Sequence, residues 1–505
     1  MVARVAVGAA SYAIDKLYEY RIPEEWVNEV QPGHRVWVPF GRGNSRKEGI
    51  VLSVSEAPQG SPVALKLLSG LMDQEPLYNE TMLKLAAFMR ERYFCTFFEA
   101  ARVMLPAGLW YKSEVKFSLT PGLSEEEIQD AGKRSPLRAA VLSFLLEKGE
   151  AMSLPALREG LGGKNPAPAV AALCEKGIVV KEERLKLPVA DKSRRMFRLA
   201  LPPAEALEKC TGGRRNPLWI DVIDTLISHG DMSQHDLCYQ TGASAGVLAT
   251  LVRRGALESY EAEALRRPET GLFGRRGLSD PMTEEQQSAY EGIAALLDQG
   301  KAGAALLFGV TGSGKTRVYA ELCRRCLSGG GGVLLLVPEI ALTPQLAADF
   351  SDAFGDRVAV LHSGLTPGER LDEWKRIRRG DATLVVGTRS AVFAPIRGLR
   401  LILIDEEQED SYRAEESPRY DAREVAKFRC VQHSAFLVLG SATPSVDSFY
   451  HARRGDFPLF TLKNRYGGGG LPEVILADMR GCPPEEWGNV GPTLREELSR
   501  NLEQK

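Results

Sequence analysis

At 505 residues the chain is too long for one hydrophobic core, and three or four domains are expected. A hydrophobic fraction of 44%, a charged fraction of 26% and a net charge of −2 are ordinary for a soluble globular protein, so any nucleic-acid surface has to be a local patch. The N-terminus carries no apolar core or cleavage-like site and no run of about 18 apolar residues occurs, which points to a cytoplasmic enzyme with no membrane span.

Residues 1–110 predict a small β-rich module. In HRVWVPFGR (residues 34–42) and GIVLSVSE (residues 49–56) apolar side chains alternate as in strands. Between them Gly41, Arg42, Gly43, Asn44, Ser45, Arg46 and Lys47 form a basic hairpin loop, readable as a solvated turn or as a phosphate contact. One helical segment is expected from Thr81 to Leu105, stopped at Pro106.

From Ser135 a helical pattern occurs twice, in modules placed at 111–200 and 201–265. In each copy a helix ends near Gly149 or Gly230, a second follows Ser153 or Ser233, and a third closes at Gly177 or Gly255 before a short strand. That is a winged-helix outline found by pattern rather than identity. It fits DNA contact through the third helix or the wing. It fits a protein-docking module equally, because the third helix near Ala167–Lys176 is poor in Arg and Lys. RLKLPVADKSRRMFR, between the copies, is basic and aperiodic, a wing or a linker. Residues 266–281 are punctuated by Gly and Pro and read as a linker.

Residues 282–480 change character. The apolar runs AALLFG, VLLLVP, VAVLHS, TLVVGT, LILID and FLVLG alternate with helices, which predicts a doubly wound parallel sheet with its site at the strands' carboxyl ends. GVTGSGKT follows the first run and opens a helix, the setting a phosphate loop requires. Gly309, Thr311, Gly312, Ser313 and Gly314 would turn backbone N–H groups around phosphate oxygens, Lys315 would reach the β- and γ-phosphates, and Thr316 would hold Mg²⁺. Asp405 ends the fifth run, where a carboxylate would share that Mg²⁺, and Glu406 would deprotonate the attacking water. Ser441 and Thr443 close the next run as candidate sensors of the nucleotide, and Gln286 is spaced to read adenine. Leu327–Gly330 spell LSGG, but too close behind the phosphate loop for a transporter ATPase signature. Residues 481–505 predict a helical tail.

The eight cysteines, at 95, 174, 210, 238, 323, 326, 430 and 482, are scattered as reduced thiols. Cys323 and Cys326 form one CxxC on the helix after the phosphate loop. With no second pair, no zinc site is expected in this chain.

Phosphate loop, DEEQ, SAT, PEIALTPQ and GTRSA together resemble the first motor lobe of a superfamily 2 helicase. With LHSGL, GTRSAVFAP, IDEEQEDSYR, PRYDAREVAKFR and LGSATPS in the same order, the chain resembles the primosomal protein N′ (PriA) family of replication-restart DNA helicases. YEYRIPEEW, VQPGHRVWVPFGR and EGIVLSVS resemble that family's N-terminal DNA-binding module. The resemblance implies a multidomain α/β architecture: a β-rich 3′-end DNA-binding domain, winged-helix modules and a RecA-like ATP-binding lobe. It implies an ATP-dependent 3′→5′ helicase that recognises stalled forks and starts primosome assembly, using ATP and Mg²⁺. It further implies a 3′-end pocket at Tyr18, Glu19, Gly41 and Lys66, a DNA contact at Arg389, and Tyr412 and Tyr420 in the loop coupling ATP to DNA. Implied partners are forked and single-stranded DNA, single-strand DNA-binding protein and helicase-loading primosome proteins, at the nucleoid. Two departures stand out: Gln408 replaces the family's histidine in DEEH, where a neutral amide still relays a hydrogen bond, and Asp421 replaces another histidine. The family's second motor lobe, with its arginine finger, and its cysteine-rich zinc module would follow Lys505. The 505-residue polypeptide is therefore expected to be weakly active or inactive, and a fork-binding scaffold with a non-unwinding motor is the alternative.

Overall fold

The computed structural model describes residues 1–41, 43–56, 65–133, 135–186, 193–211, 216–263, 265–266, 278, 280–339, 341–342, 344–466, 474–480 and 490–503. Strands β1 (Val2–Val7), β2 (Tyr18–Arg21), β3 (Arg35–Phe40), β4 (Ser45–Ser55) and β5 (Gly70–Leu71) form an antiparallel sheet ordered β2-β1-β4-β3-β5. Ala3, Val5, Val36, Val38 and Val51 bury one face in a small core. Ala6 and Ile50 lie in a second core that continues into the C-terminal half of the chain. The basic loop is shorter than expected: Ser45, Arg46 and Lys47 already belong to β4, paired with Phe40, Pro39 and Val38. The turn needs left-handed backbone at Gly41 (φ 76°) and Asn44 (φ 49°). Arg42 lies outside the described residues.

The single helix expected up to Leu105 is broken into α1 (Glu80–Tyr93) and α2 (Phe97–Arg102). Phe94 is left-handed (φ 51°), and Thr96 with Glu99 makes a capping box that starts α2 in a new direction.

The repeat appears as two similar units with separate cores. The first comprises β6 (Lys112–Leu119), α3 (Glu125–Gly132), α4 (Pro136–Lys148), β7 (Met152–Ser153), α5 (Leu154–Gly160), α6 (Ala167–Glu175) and β8 (Val179–Lys186). The second comprises β9 (Ser193–Leu199), α7 (Pro203–Thr211), α8 (Pro217–His229), β10 (Met232–Ser233), α9 (Gln234–Thr241), α10 (Ala245–Arg253) and β11 (Leu257–Glu263). Their sheets are ordered β7-β6-β8 and β10-β9-β11. The second unit thus begins at Ser193, ahead of the expected boundary at 201. SRRMFR is its first strand, neither wing nor linker, because it pairs along its length with β11.

The motor lobe contains α11 (Glu284–Leu297), β12 (Gly303–Gly309), α12 (Lys315–Ser328), β13 (Gly332–Leu336), α13 (Pro344–Phe354), β14 (Val358–Leu361) and α14 (Pro367–Arg379). It continues through β15 (Leu384–Gly387), β16 (Leu399–Ile404), α15 (Ala422–His433), β17 (Phe436–Ser441), α16 (Val446–Arg454) and β18 (Leu459–Leu462). The strands make one parallel sheet ordered β14-β15-β13-β16-β17-β12-β18, as expected apart from the added edge strand β18. The apolar runs are continuous because both faces are buried. Val333, Leu335, Leu401 and Leu403 face one core, while Leu334, Leu336, Ile402 and Ile404 face the other. The latter core also takes in Met82, Leu85, Met89 and Phe98 of α1 and α2, so the N-terminal helices are part of the motor lobe's interior. Phe88 stacks on Phe428 at 4.4 Å, and Arg378 donates to the Pro76 carbonyl at 2.9 Å. A helix spans Pro492–Glu503 in the expected tail. No helix among the described residues is long and apolar enough to cross a membrane.

Candidate nucleotide site and DNA-binding surface

The phosphate loop lies between β12 and α12. Gly314 caps α12 with φ 82°, and a Cβ there would come within 2.4 Å of Gln286 Nε2. Gln286, the residue expected to read adenine, is 1% exposed: its Nε2 donates to the Ser313 carbonyl at 2.8 Å, and its Oε1 accepts from Thr283 N at 3.0 Å. In this structure it ties the loop to the start of α11. Thr311 and Gly312 are exposed at the loop's crest, with open space around Gly312. Ser313 Oγ is buried with no hydrogen-bond partner among the described residues, as a hydroxyl shaped to meet an oxyanion would be.

Lys315 is 8% exposed; its Nζ lies 3.2 Å from Glu406 Oε1 and donates to the Gly309 carbonyl at 3.2 Å. Asp405 follows β16, separated in the sheet from β12 by β17 alone. Its Oδ1 accepts from Tyr319 at 2.9 Å, and its carbonyl accepts from Tyr412 at 2.6 Å. Burial raises the Asp405 carboxyl above its usual range, against the lowering charge of Lys315. Burial also raises Glu406, but the hydrogen bond from Gln408 and the Lys315 charge outweigh it and hold Glu406 below its usual range. Glu406 sits at φ 44°, a left-handed conformation that costs a non-glycine residue about 1–3 kcal/mol. By their chemistry Thr316 and Asp405 fit the holding of Mg²⁺, and the orphaned Ser313 hydroxyl in the loop fits a phosphate oxygen. A bound Mg²⁺ would neutralise phosphate charge. Among the described residues no group of three or more His, Cys, Asp or Glu forms a metal cluster, and Cys323 and Cys326 are simply packed inside α12.

A relay leaves the acidic pair. Gln408 Nε2 donates to Glu406 Oε2 at 3.1 Å, Ser441 Oγ donates to Gln408 Oε1 at 2.5 Å, and Thr443 N donates to Ser441 Oγ at 2.8 Å. Glu407, which no motif singles out, is 1% exposed and accepts from Ser445 N at 2.7 Å, Ser445 Oγ at 3.1 Å and Ser448 Oγ at 3.0 Å. Its place in DEEQ, beside two charged residues, was the available signal. Tyr319 also escapes sequence reasoning, although it lies one helical turn beyond Lys315.

Arg389 donates to the carbonyls of Ser411 and Arg413, which ties it to the loop carrying Tyr412. Tyr412 is fully buried, and Tyr420 packs edge-on against Phe393 at 4.8 Å; burial pushes the Tyr420 phenol up to about 12. Asp421 caps α15 and pairs with Arg423 at 2.7 Å. At the N-terminal sheet, Lys66 Nζ donates to the Gly41 carbonyl at 3.3 Å, and Tyr18 packs edge-on against Phe40 at 5.0 Å. Tyr18, Gly41 and Lys66 therefore meet at one end of the sheet. Glu19 turns to the other face of β2 and pairs with Arg4 at 3.1 Å.

A parallel sheet with a phosphate loop at one strand end, an acidic pair at another and a polar relay running on from that pair to the next strand end defines the ATP-binding lobe of a helicase. Residues 283–450 match the DEAD/DEAH box helicase family, and residues 4–106 match the 3′DNA-binding domain (3′BD) family. Replication restart protein PriA of Bacillus subtilis is 34% identical over 484 residues, covering 95% of this chain and 58% of that protein. PriA of Synechocystis is 39% identical over 260 residues, covering 50% of this chain and 30% of that protein. The chain is similar to replication restart protein PriA along nearly its whole length, and it spans 58% of the length of the Bacillus subtilis relative. Among solved structures, RecG bound to a three-way DNA junction matches 37% of this chain and 25% of that one, at 24% identity and a TM-score of 0.30.

Proposed function

We propose that the chain is the DNA-binding front and first motor lobe of an ATP-dependent 3′→5′ DNA helicase that recognises stalled forks and starts primosome assembly at the nucleoid. The observation that carries this reading is the contact between Lys315 and Glu406 at 3.2 Å, continued through Gln408 and Ser441 to the loop at Thr443. Lys315 and the loop N–H groups bind and orient the phosphates, and Thr316 and Asp405 hold Mg²⁺. Glu406 takes the proton of the attacking water, a role suited to a carboxylate held ionised. A change at Glu406 passes by hydrogen bonds to the Ser441–Thr443 loop and so to α16. Tyr18, Gly41 and Lys66 form the floor of a pocket for the 3′ end of a strand, with Lys66 meeting a phosphate and Tyr18 stacking on the last base.

Forked duplex and single-stranded DNA are the proposed ligands. Single-strand DNA-binding protein and helicase-loading proteins are the proposed partners. Strand displacement on a forked duplex, measured with and without ATP, tests the reading. Displacement that requires ATP supports it; tight fork binding with no displacement under either condition favours the scaffold alternative.

A further inference from the structure

The second winged-helix unit differs from the first at one face. Register aligns the two: β7 pairs with β6 at Met152–Phe117, β10 pairs with β9 at Met232–Phe197, and Ser153 and Ser233 cap the helices that follow. By that register His235, Tyr239 and Arg195 stand where the first unit has Pro155, Glu159 and Val115. The first unit has neither an aromatic ring nor a cation at those places.

The second unit groups them. Arg194, Arg195, His235 and Tyr239 line one groove between β9 and α9. Tyr239 is 85% exposed, the His235 side chain 88%. Their rings are parallel to within 2°, with centroids 6.5 Å apart. Four residues of helix rise about 6 Å, which matches this spacing of residues i and i+4 on α9. It is also close to twice the ~3.4 Å rise between stacked bases of a DNA strand, the spacing of two rings with one base between them. Asp236, the carboxylate in the groove, is engaged by the Ser233 hydroxyl at 2.7 Å. The third helix, α10, exposes Ala245 and Gly246, so the face expected to meet DNA carries no phosphate-binding charge at its start.

We propose that this face binds an unpaired nucleotide of single-stranded DNA, its base between His235 and Tyr239 and its phosphate against Arg194 and Arg195. The proposal rests on the DNA-binding reading above, and the test separates the two. A covalently closed single-stranded circle offers no 3′ end, so its affinity for the full chain, followed by fluorescence anisotropy, isolates sites other than the 3′ pocket. Tyr239→Ala is expected to weaken binding of the circle about 5- to 150-fold, the range for losing one stacked base, while Tyr239→Phe keeps the parent's affinity. Replacing Arg194 and Arg195 by Ala should reduce the salt slope by about 0.7 for each phosphate that is no longer neutralised. With Tyr239 so exposed, its two variants should melt as the parent does. Unchanged affinity of Tyr239→Ala for the circle overturns the proposal and points the face to a protein partner. If forks bind in a Lys66-dependent manner while the circle does not bind at all, this inference fails and the 3′-end reading stands. If neither binds, both fail.

Discussion

Glu407 is the residue whose removal should separate structural coupling from nucleotide binding. Its carboxylate is buried and receives three hydrogen bonds, from Ser445 N, Ser445 Oγ and Ser448 Oγ, at 2.7, 3.1 and 3.0 Å. Ser445 also caps α16 by accepting from Ser448 N at 3.2 Å. In Glu407→Ala the two hydroxyls can rotate toward other acceptors, but the Ser445 N–H cannot, and leaving it half-buried and unpaired costs about 1–3 kcal/mol. Weakening the cap adds about 1 kcal/mol. A total of about 3 kcal/mol follows, concentrated at the start of α16. In Glu407→Gln the amide oxygen still accepts from Ser445 N and the amide nitrogen can donate to a serine oxygen, so the cost stays at about 1 kcal/mol. Hydrogen exchange of the amides in Val446–Arg454 reads this directly, since each ~1.4 kcal/mol of local opening is about a factor of ten. The Ala variant should exchange about 100-fold faster there, the Gln variant less than about 10-fold. Both should keep the parent's ATP affinity, because the contacts of Lys315 and Glu406 are intact. Equal effects of the two substitutions, or an Ala variant exchanging at the parent's rate, would refute the reasoning.

Other expectations are briefer. Lys315→Ala should lose most ATP affinity in a fluorescent-nucleotide titration, whereas Glu406→Gln should bind ATP and lose turnover; parental affinity in the first variant removes Lys315 from the site. Lys66→Ala should weaken binding of the full chain to a fork that carries a free 3′ end, and parental affinity in that variant would argue against the pocket. Burial, followed by the charge of Arg429, lowers the His433 imidazole from 6.5 to about 4. The folded state therefore resists protonation, and stability present above about pH 6.5 is lost as pH falls toward about 4. Melting temperature should decline across that window, and less steeply in His433→Gln; parallel curves would contradict this.

What could be read from the chain is what neighbouring residues decide together. The phosphate loop was legible because its glycines, Lys315 and Thr316 are contiguous, and the motor strands because burial on both faces leaves unbroken apolar runs. The winged units were legible from their glycine stops and serine caps, both local devices. β9 was hidden because four of its seven residues are polar or charged, and only its pairing with β11 makes it a strand. The division at residue 110 hid more: nothing in the pattern of α1 says that Phe88 will stack on Phe428.

The same limit explains the residues missed around the acidic pair. Tyr319 is fully buried and reads as an ordinary apolar position of α12, yet its hydroxyl donates to Asp405 at 2.9 Å. Burial, and then the adjacent Asp405 charge, raise that phenol well above its usual range. Gly440 completes the arrangement: a Cβ there would lie 1.6 Å from the Tyr319 oxygen, so β17 has to present bare backbone where the hydroxyl passes. Tyr319, Asp405 and Gly440 come from a helix, a strand end and another strand. Each is unremarkable in its own stretch, and each is required by the other two. Geometry at Asp405 is thus fixed by side chains that no local motif contains, just as the loop before α12 is tied down by Gln286 from outside its own motif.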